Sequence, residues 1–449
     1  MAFTNNSTAS SSSSKPTLNF WQIWNISFGF LGVQIGYNLQ TSNISSIFLA
    51  NGADPNQINW FWIAAPLAGF IVQPIVGLSS DKTWTRLGRR IPFILGGALV
   101  SALAMFFMPN SEKFASFLSP LFFGAFMFLL MDMSFNVTMQ PFRGLVSDMV
   151  PDSQRNKGYA IQSFLINAGA VIGSMLPFIL TWAGVANKPS PGAKVAPTVI
   201  WSFYFGGAAL LLSVLWTTFR TKEYSPKEYS LYNNISDEKE KEKISFFKVI
   251  KTAPPVMWQL AVTQFFSWFA LIMMWTYTVQ GIALNIWHTT NAQSEAFNDA
   301  RNWNGVLSAA MSIFAALYSL VLTPLANKFG RKNIYMMSLI ICGIGLISMM
   351  FFENKYSLFI SMLGIGIGWA SILAMPYAIL SKSLPAKQTG VYMGIFNFTI
   401  TLPQIVASIV GGIILKNVFK EIPIYMVALA GVSMIIAGIF AKIVIKSKE

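Results

Sequence analysis

The chain has one cysteine and one histidine among its 449 residues. The lone thiol, Cys342, lies in an apolar run, so no disulfide framework and no cysteine-based metal site can form within one chain. His288 stands by itself between two apolar runs, which excludes a histidine-rich metal site and makes surface exposure its default. Charge is scarce as well: only 11% of residues are charged, and 17 acidic side chains face 31 basic ones. No Gly-x-x-x-x-Gly-Lys-Ser/Thr loop occurs, which argues against ATP as an energy source. No nucleophile and base stand at a recognisable spacing, so an enzyme is not expected, nor is a cofactor. The start, Met1 to Ser14, lacks the basic and apolar regions of a signal peptide. Its Ser, Thr and Asn predict a disordered tail covering residues 1–18.

What is abundant is apolar side chain, 54% of the sequence, a balance that no ordinary soluble domain shows. Twelve runs are long enough to cross about 30 Å of hydrocarbon, roughly 20 residues each. They fall at 19–50, 57–79, 91–109, 114–142, 158–183 and 198–218, then at 252–286, 304–327, 333–352, 356–381, 390–415 and 422–445. The net charge of +14 would suit nucleic acid in a soluble protein, but here the basic residues sit in short loops between apolar runs. With the amino terminus placed inside, 24 of the 31 Lys and Arg fall in inside segments and 7 outside. That asymmetry predicts both termini in the cytoplasm of a cell whose plasma membrane, a bacterial inner membrane, holds the protein.

A polar stretch, 219–251, contains the alternating charges of Asp237 to Lys243 and reads as a solvated cytoplasmic linker. It separates residues 19–218 from 252–449, six spans on each side. The two parts echo one another. Arg86-Leu-Gly-Arg-Arg90 follows the second span and Lys328-Phe-Gly-Arg-Lys332 the eighth; Val146-Ser-Asp-Met-Val-Pro151 ends the fourth helix and Leu380-Ser-Lys-Ser-Leu-Pro385 the tenth. Two matches at equivalent places predict a duplicated architecture, an all-α membrane protein of twelve transmembrane helices in two six-helix bundles.

Gly77-Leu-Ser-Ser-Asp81 followed by Arg86-Leu-Gly-Arg-Arg90 resembles the loop signature of the major facilitator superfamily, lengthened between its Asp and its first Arg. With Pro92 and Phe93, that form resembles the glycoside/cation symporter branch, which contains the plant sucrose/proton symporters and their animal and bacterial relatives. Gly32-Val-Gln-Ile-Gly-Tyr-Asn-Leu-Gln40 is similar to that family's first helix, and Asp132, Asn136, Pro141, Arg143 and Asp148 reproduce its fourth-helix spacing. The resemblance is thinner over the second half. Asn51 to Asn59 holds no histidine where the plant transporters have one, and an ungapped match puts Asp299, Trp303 and Asn304 where they carry an acid followed by a basic and an acidic residue. The resemblance implies the major facilitator fold and proton-coupled sugar symport.

Asp132 is the sharpest signal, an acid behind Leu129, Leu130 and Met131 with the first basic residue eleven positions later. A carboxylate at membrane depth is costly, so it tends to hold a proton until water or a cation reaches it, which suits a proton carrier; a structural acid paired to a neighbouring helix is the bland alternative. Asn136, one turn along the same face, can bond either the acid or a sugar hydroxyl. Arg143 lies on nearly the same face, but at about 1.5 Å per residue its α-carbon is roughly 16 Å from that of Asp132, beyond direct contact unless Pro141 bends the helix sharply. Arg143 is therefore placed near the cytoplasmic mouth with Asp81, Arg89, Arg90 and Asp148, as a gate of ion pairs or as simple topology anchors.

Sugar recognition needs uncharged hydrogen-bonding side chains and aromatic faces. Gln34 and Asn38 on the first span, Gln162 and Asn167 on the fifth, and Gln264, Trp275 and Tyr277 on the seventh supply them, with Trp369 and Tyr377 on the tenth as weaker candidates. Amides in lipid must face the bundle interior, yet many merely bond neighbouring helices, and aromatics there often only pack. The expectation is a monomer that carries a small sugar, of the sucrose or maltose class, with a proton across the bilayer by rocking its halves. Sodium is the runner-up ion, although it wants several oxygen ligands. A proton/drug antiporter, a membrane-bound sugar sensor and an integral-membrane enzyme are the rival classes.

Overall fold

The structure is a computed structural model that describes residues 15–51, 64–114, 119–186, 195–233, 251–290, 295–385 and 388–446. Most of Met1 to Leu18, the first external loop and the charged run Asp237 to Lys243 lie outside the described residues.

Six long helices come first: α1 (Phe20–Ala50), α2 (Ala64–Lys82), α3 (Ile91–Phe107), α4 (Pro120–Met149), α5 (Arg155–Trp182) and α6 (Pro197–Arg220). A short helix, α7 (Pro226–Tyr232), follows, closed at its start by a Ser225–Glu228 capping box. Then come α8 (Pro255–Trp287), α9 (Glu295–Phe329), α10 (Arg331–Ser348), α11 (Leu358–Ser381), the pair α12 (Thr389–Phe396) and α13 (Phe398–Asn417), and α14 (Pro423–Ile443). Among the described residues, ten helical segments are long and apolar enough to cross a membrane, α12 and α13 counting together as one. Helices α1 and α2 complete twelve. They miss the hydropathy of the others because of Gln34, Asn38, Gln40 and Asn43 in one and Gln73, Ser79, Ser80 and Asp81 in the other. Polar residues are tolerated in membrane helices that face a bundle interior.

Several boundaries differ from the sequence expectation. The fourth span runs seven residues past its predicted end at 142, to Met149. Pro141 lies inside that helix rather than ending it, and the polar residues beyond it find partners instead of water. Proline also sits within α2, α5, α9, α11 and α13, where packing within the bundle offsets the lost hydrogen bond. Lys15 to Leu18, assigned by composition to the tail, are held. The Lys15 ammonium donates to the Ser147 carbonyl at 3.0 Å, while Leu18 and the Gln154 amide exchange hydrogen bonds at 2.8 and 2.9 Å.

Within each half the helices approach through small residues. A Cβ added at Gly343 of α10 would lie 2.6 Å from the Gly431 carbonyl of α14, and the reverse holds at Gly431, so only glycine fits this crossing. The halves meet where α5 packs on α9 and α11, and where α2 packs on α12 and α13. The two basic loops, between α2 and α3 and between α9 and α10, lie at one end of the molecule, called here the basic end.

Candidate functional site

At the basic end the chain after α2 reverses through Thr85 to Gly88, a turn that needs φ = 117° at Gly88 and so favours glycine. The reversal aims Arg89 and Arg90 back at the bundle. Arg89 pairs with Asp81. Arg90 reaches Asp81 at 2.8 Å and the Asp148 carboxylate at 2.8 Å through its Nε. All four side chains are at most 4% exposed. Unpaired, such charges would be prohibitive; together they satisfy one another. The Glu223 carboxylate, from just after α6, accepts the backbone N–H groups of Arg90 and Ile91 at 2.8 Å each, which caps α3. Burial pushes the Glu223 carboxyl up, against the opposing pull of these two hydrogen bonds. Tyr229 of α7 covers the cluster. Its ring lies 4.8 Å from the Arg89 guanidinium, and its hydroxyl donates to Asp148 at 3.3 Å.

The cluster also joins the halves. The Asp81 carboxylate accepts the Gly390 and Val391 N–H groups, at 2.9 and 2.8 Å, from the first turn of α12. A carboxylate at a helix N-terminus is favoured by both the exposed donors and the helix dipole. The contact requires close backbone approach, since a Cβ at Gly77 would overlap the Gly390 carbonyl. Gln140 of α4 donates to that same carbonyl at 3.2 Å.

Further contacts between the halves climb from this end toward the middle. The Arg143 guanidinium donates to the Tyr377 hydroxyl and lies 4.4 Å from its ring centre. Asn156 donates to Asn327 at 2.7 Å, Ser163 meets Ser319 at 2.9 Å, and Ser163 reaches the Ala370 carbonyl at 3.3 Å. Phe70 stacks on Phe398 at 4.1 Å. Arg143 and Asp132 do not meet, as the helical rise requires.

Asp132 lies three turns farther from the basic end on α4 and is 1% exposed. Among the described residues it forms no ion pair. Gln40 of α1 donates to its Oδ1 at 3.1 Å, and Asn136 donates to its Oδ2 at 3.3 Å and to its carbonyl at 2.9 Å. Gln73 of α2 then donates to the Asn136 side-chain Oδ1 at 2.6 Å. Four polar side chains from α1, α4 and α2 thus form one chain of hydrogen bonds at membrane depth. Sequence reasoning missed Gln40 and Gln73. Gln40 closes the first-helix motif, and Gln73 is the one amide of α2, but neither position reveals a partner on another helix.

The other candidates are distributed. Gln34 and Asn38 are half-buried, and Asn38 donates to the Gln34 carbonyl at 3.0 Å. Both lie along α5, against Gly169 and Gly173. On α5, Gln162 donates to the Phe142 carbonyl at 3.2 Å and Asn167 to the Ser163 carbonyl at 2.8 Å. The side-chain oxygens of Asn167, Gln40 and Gln73 are buried with no hydrogen-bond partner among the described residues. Buried acceptors of this kind are costly unless a ligand or water donates to them. Trp275 and Trp369 form an edge-to-face triad with Trp268, at centroid separations of 5.9 to 6.4 Å. Trp369 adjoins Ala370, which puts the triad beside the Ser163 contact. Gln264 lies apart: its oxygen takes the Tyr335 hydroxyl at 3.1 Å, inside the core of the second half. Tyr277 packs against Gly411, and Tyr377 belongs to the contact with Arg143.

Residues 36–420 match the model of the MFS/sugar transport protein family. The chain belongs to that family and is a membrane transporter rather than an enzyme. It is 24% identical over 434 residues to the sucrose transport protein SUT5 of Oryza sativa, covering 85% of this chain and 79% of that protein. A general alpha-glucoside permease of Schizosaccharomyces pombe is 26% identical over 163 residues, covering 34% of this chain and 30% of that one. In fold it is similar to the transporter FucP in its outward conformation, with a TM-score of 0.72 at 15% identity over 94% of this chain and 98% of that one. The proton:xylose symporter XylE gives 0.66 at 13% identity, over 94% and 96%. The fold is therefore that of the major facilitator superfamily, twelve helices in two bundles.

Proposed function

We propose that this chain carries a disaccharide or related glucoside together with a proton, by alternating access between its two halves. The observation that carries the reading is Asp132, an acid enclosed at membrane depth whose two carboxylate oxygens meet amide donors and no cation. Such a group changes its protonation only when the bundle lets water reach it. Both of its oxygens receive N–H groups from Gln40 and Asn136. Sodium would want a shell of oxygens there instead, so the proton is the better fit.

The names of the relatives support a sucrose- or glucoside-class substrate. The unpartnered oxygens of Gln40, Gln73 and Asn167 are acceptors suited to sugar hydroxyl donors, and the tryptophan triad offers aromatic edges and faces. On this reading Gln34 and Asn38 border the sugar, whereas Gln264 holds its own half together. The positive-inside count supports a cytoplasmic basic end, with both termini there, and hence a plasma-membrane protein closed toward the cytoplasm by the Asp81–α12 contact. Residues 219–251 would link the two bundles, and the working unit would be a monomer.

Uptake into proteoliposomes tests the proposal. Asp132→Asn keeps the shape of the protonated acid but cannot release a proton, so sugar binding and exchange of internal for external sugar should persist while concentrative uptake fails. Concentration of sugar by Asp132→Asn under an imposed pH difference would place the coupling residue elsewhere. Uptake that requires sodium and ignores the pH difference would move the reading to a sodium symporter.

A further inference from the structure

The duplicated loops end in unlike surroundings. In the first half, Arg89 and Arg90 are neutralised by Asp81 and Asp148. Aligning the two repeats residue by residue puts Arg331 opposite Arg89 and Lys382 opposite Asp148. Asp148 pairs with Arg90, whose counterpart is Lys332, so the second half carries a cation where the first carries that buried acid. The Arg331 guanidinium donates to the Ala378 carbonyl at 3.0 Å and the Asp152 carbonyl at 3.4 Å.

Around Arg331 and Lys382 the structure forms a cavity of about 650 Å³ whose wall includes Lys328, Arg331, Lys382 and Lys446, together with Asn156 and Gly330, and among the described residues no Asp or Glu lines it. The carboxylate of Asp152 lies just outside the wall. It is 3.8 Å from the Lys382 ammonium and already 3.1 Å from Arg155, in an exposed position where screening weakens it. The cavity opens at the basic end, near the depth where membrane surface meets water. Lys446 is held there because its backbone N–H donates to Gln259 at 2.8 Å. Gly330, at φ = 85°, turns the chain so that α10 begins at the cavity with Arg331.

We propose that this cavity binds a phosphate-type oxyanion, either the headgroup of an anionic lipid or a soluble phosphate ester. Several cations around one concavity focus their fields on an anion more strongly than isolated surface charges would. Arginine adds paired donors matched to phosphate oxygens, and lysine adds point charge. Basic pockets between membrane helices at this depth are suited to phospholipid headgroups. The bound anion would supply the negative charge that Asp148 supplies in the other half. It would also draw Lys382 and Arg331 away from Asp152, which belongs to the opposite half, and so ease opening of the basic end.

The test uses the purified full chain in nanodiscs of phosphatidylcholine, compared with nanodiscs containing added phosphatidylglycerol and with inorganic phosphate added to the neutral lipid, sodium chloride being adjusted to constant ionic strength. The unfolding midpoint should rise by several degrees in at least one arm. Lys328→Gln/Lys446→Gln should lose the rise, and Lys328→Arg/Lys446→Arg should keep it. A rise with phosphatidylglycerol alone assigns the site to a lipid headgroup, and one with phosphate in neutral lipid assigns it to a soluble ester. Should the Gln pair fold poorly, Lys382→Gln replaces it, with broadening of the inorganic phosphate ³¹P resonance as the readout. No rise beyond the chloride control, or an equal rise or broadening in the Gln variants, overturns the proposal.

Discussion

The two halves repeat a sequence pattern at their basic ends but stabilise it by different means. The first half encloses its arginines with Asp81 and Asp148 and ties Asp81 to the start of α12 across the interface. The second half leaves a basic cavity, and its one ion pair to the first half among the described residues is the half-exposed contact of Lys382 with Asp152. The same loop thus serves as a buried latch on one side and an open basin on the other. Duplication provides matching backbone, while single substitutions such as Asp148 against Lys382 decide what each copy does.

The comparison breaks most visibly at Asp148. Asp148→Ala removes one of the two carboxylates that balance the buried Arg89 and Arg90, leaving Asp81 alone between two arginines, and should cost about 3–5 kcal/mol, enough to depress the unfolding midpoint strongly or block folding. Lys382→Ala should cost less than about 0.5 kcal/mol, because its pair is half-exposed and screened. Equal losses in thermal unfolding would show that the halves are not stabilised differently.

A second test acts on the closed latch. Gly77→Val drives side-chain atoms into the Gly390 backbone and should destabilise the closed basic end by about 1–3 kcal/mol, the usual cost of overpacking. Alkylation of Gln140→Cys, buried between the halves, should then accelerate by roughly tenfold from the basic side. An unchanged rate would mean that the approach of α2 to α12 does not hold that end shut.

A smaller effect is expected at one of the direct hydrogen bonds between the repeats. Asn156→Ala removes the 2.7 Å bond to Asn327 and should cost about 1 kcal/mol, visible as a modest fall in the unfolding midpoint. A loss as large as that of Asp148→Ala would make the second-half contacts the main lock.

The smallest concerns the amino-terminal segment. Burial against Ser147 lowers the Lys15 ammonium from its ordinary 10.5 to about 8, partly opposed by Asp148. Between those values the unfolded chain binds more protons than the folded one, so stability should rise as pH climbs from about 8 toward 10.5, by about 1 kcal/mol or less once solvent screening is allowed for. Lys15→Met should flatten that slope. An identical slope in the variant would assign it to another group.

Much of this was legible in the sequence. The arginine loop and its acids stood out because charge is rare in the chain, and Asp132 stood out because no other acid lies so far inside an apolar run. The partners of Asp132 were not legible. An amide such as Gln40 or Gln73 reads the same whether it bonds a carboxylate on another helix or its own backbone. Glu223 was lost among the charges of the linker, although it caps α3, and the sequence did not show that the Gln264 oxygen accepts from Tyr335. The apolar part of the fourth span stops at 142, yet the helix continues, and the polar residues beyond find partners, Asp148 in Arg90 and Arg143 in Tyr377.

The sequence by itself determined that this chain crosses a membrane twelve times as a duplicated all-helical protein, because the length and apolarity of a span and the count of basic residues in a loop are local properties. Only the tertiary structure decided that Asp81 caps α12, that Gln40 and Asn136 share Asp132, and that Arg331 and Lys382 line one cavity. Each of these depends on which helix faces which, at what depth and rotation. Those relations are set by packing between residues up to 310 positions apart.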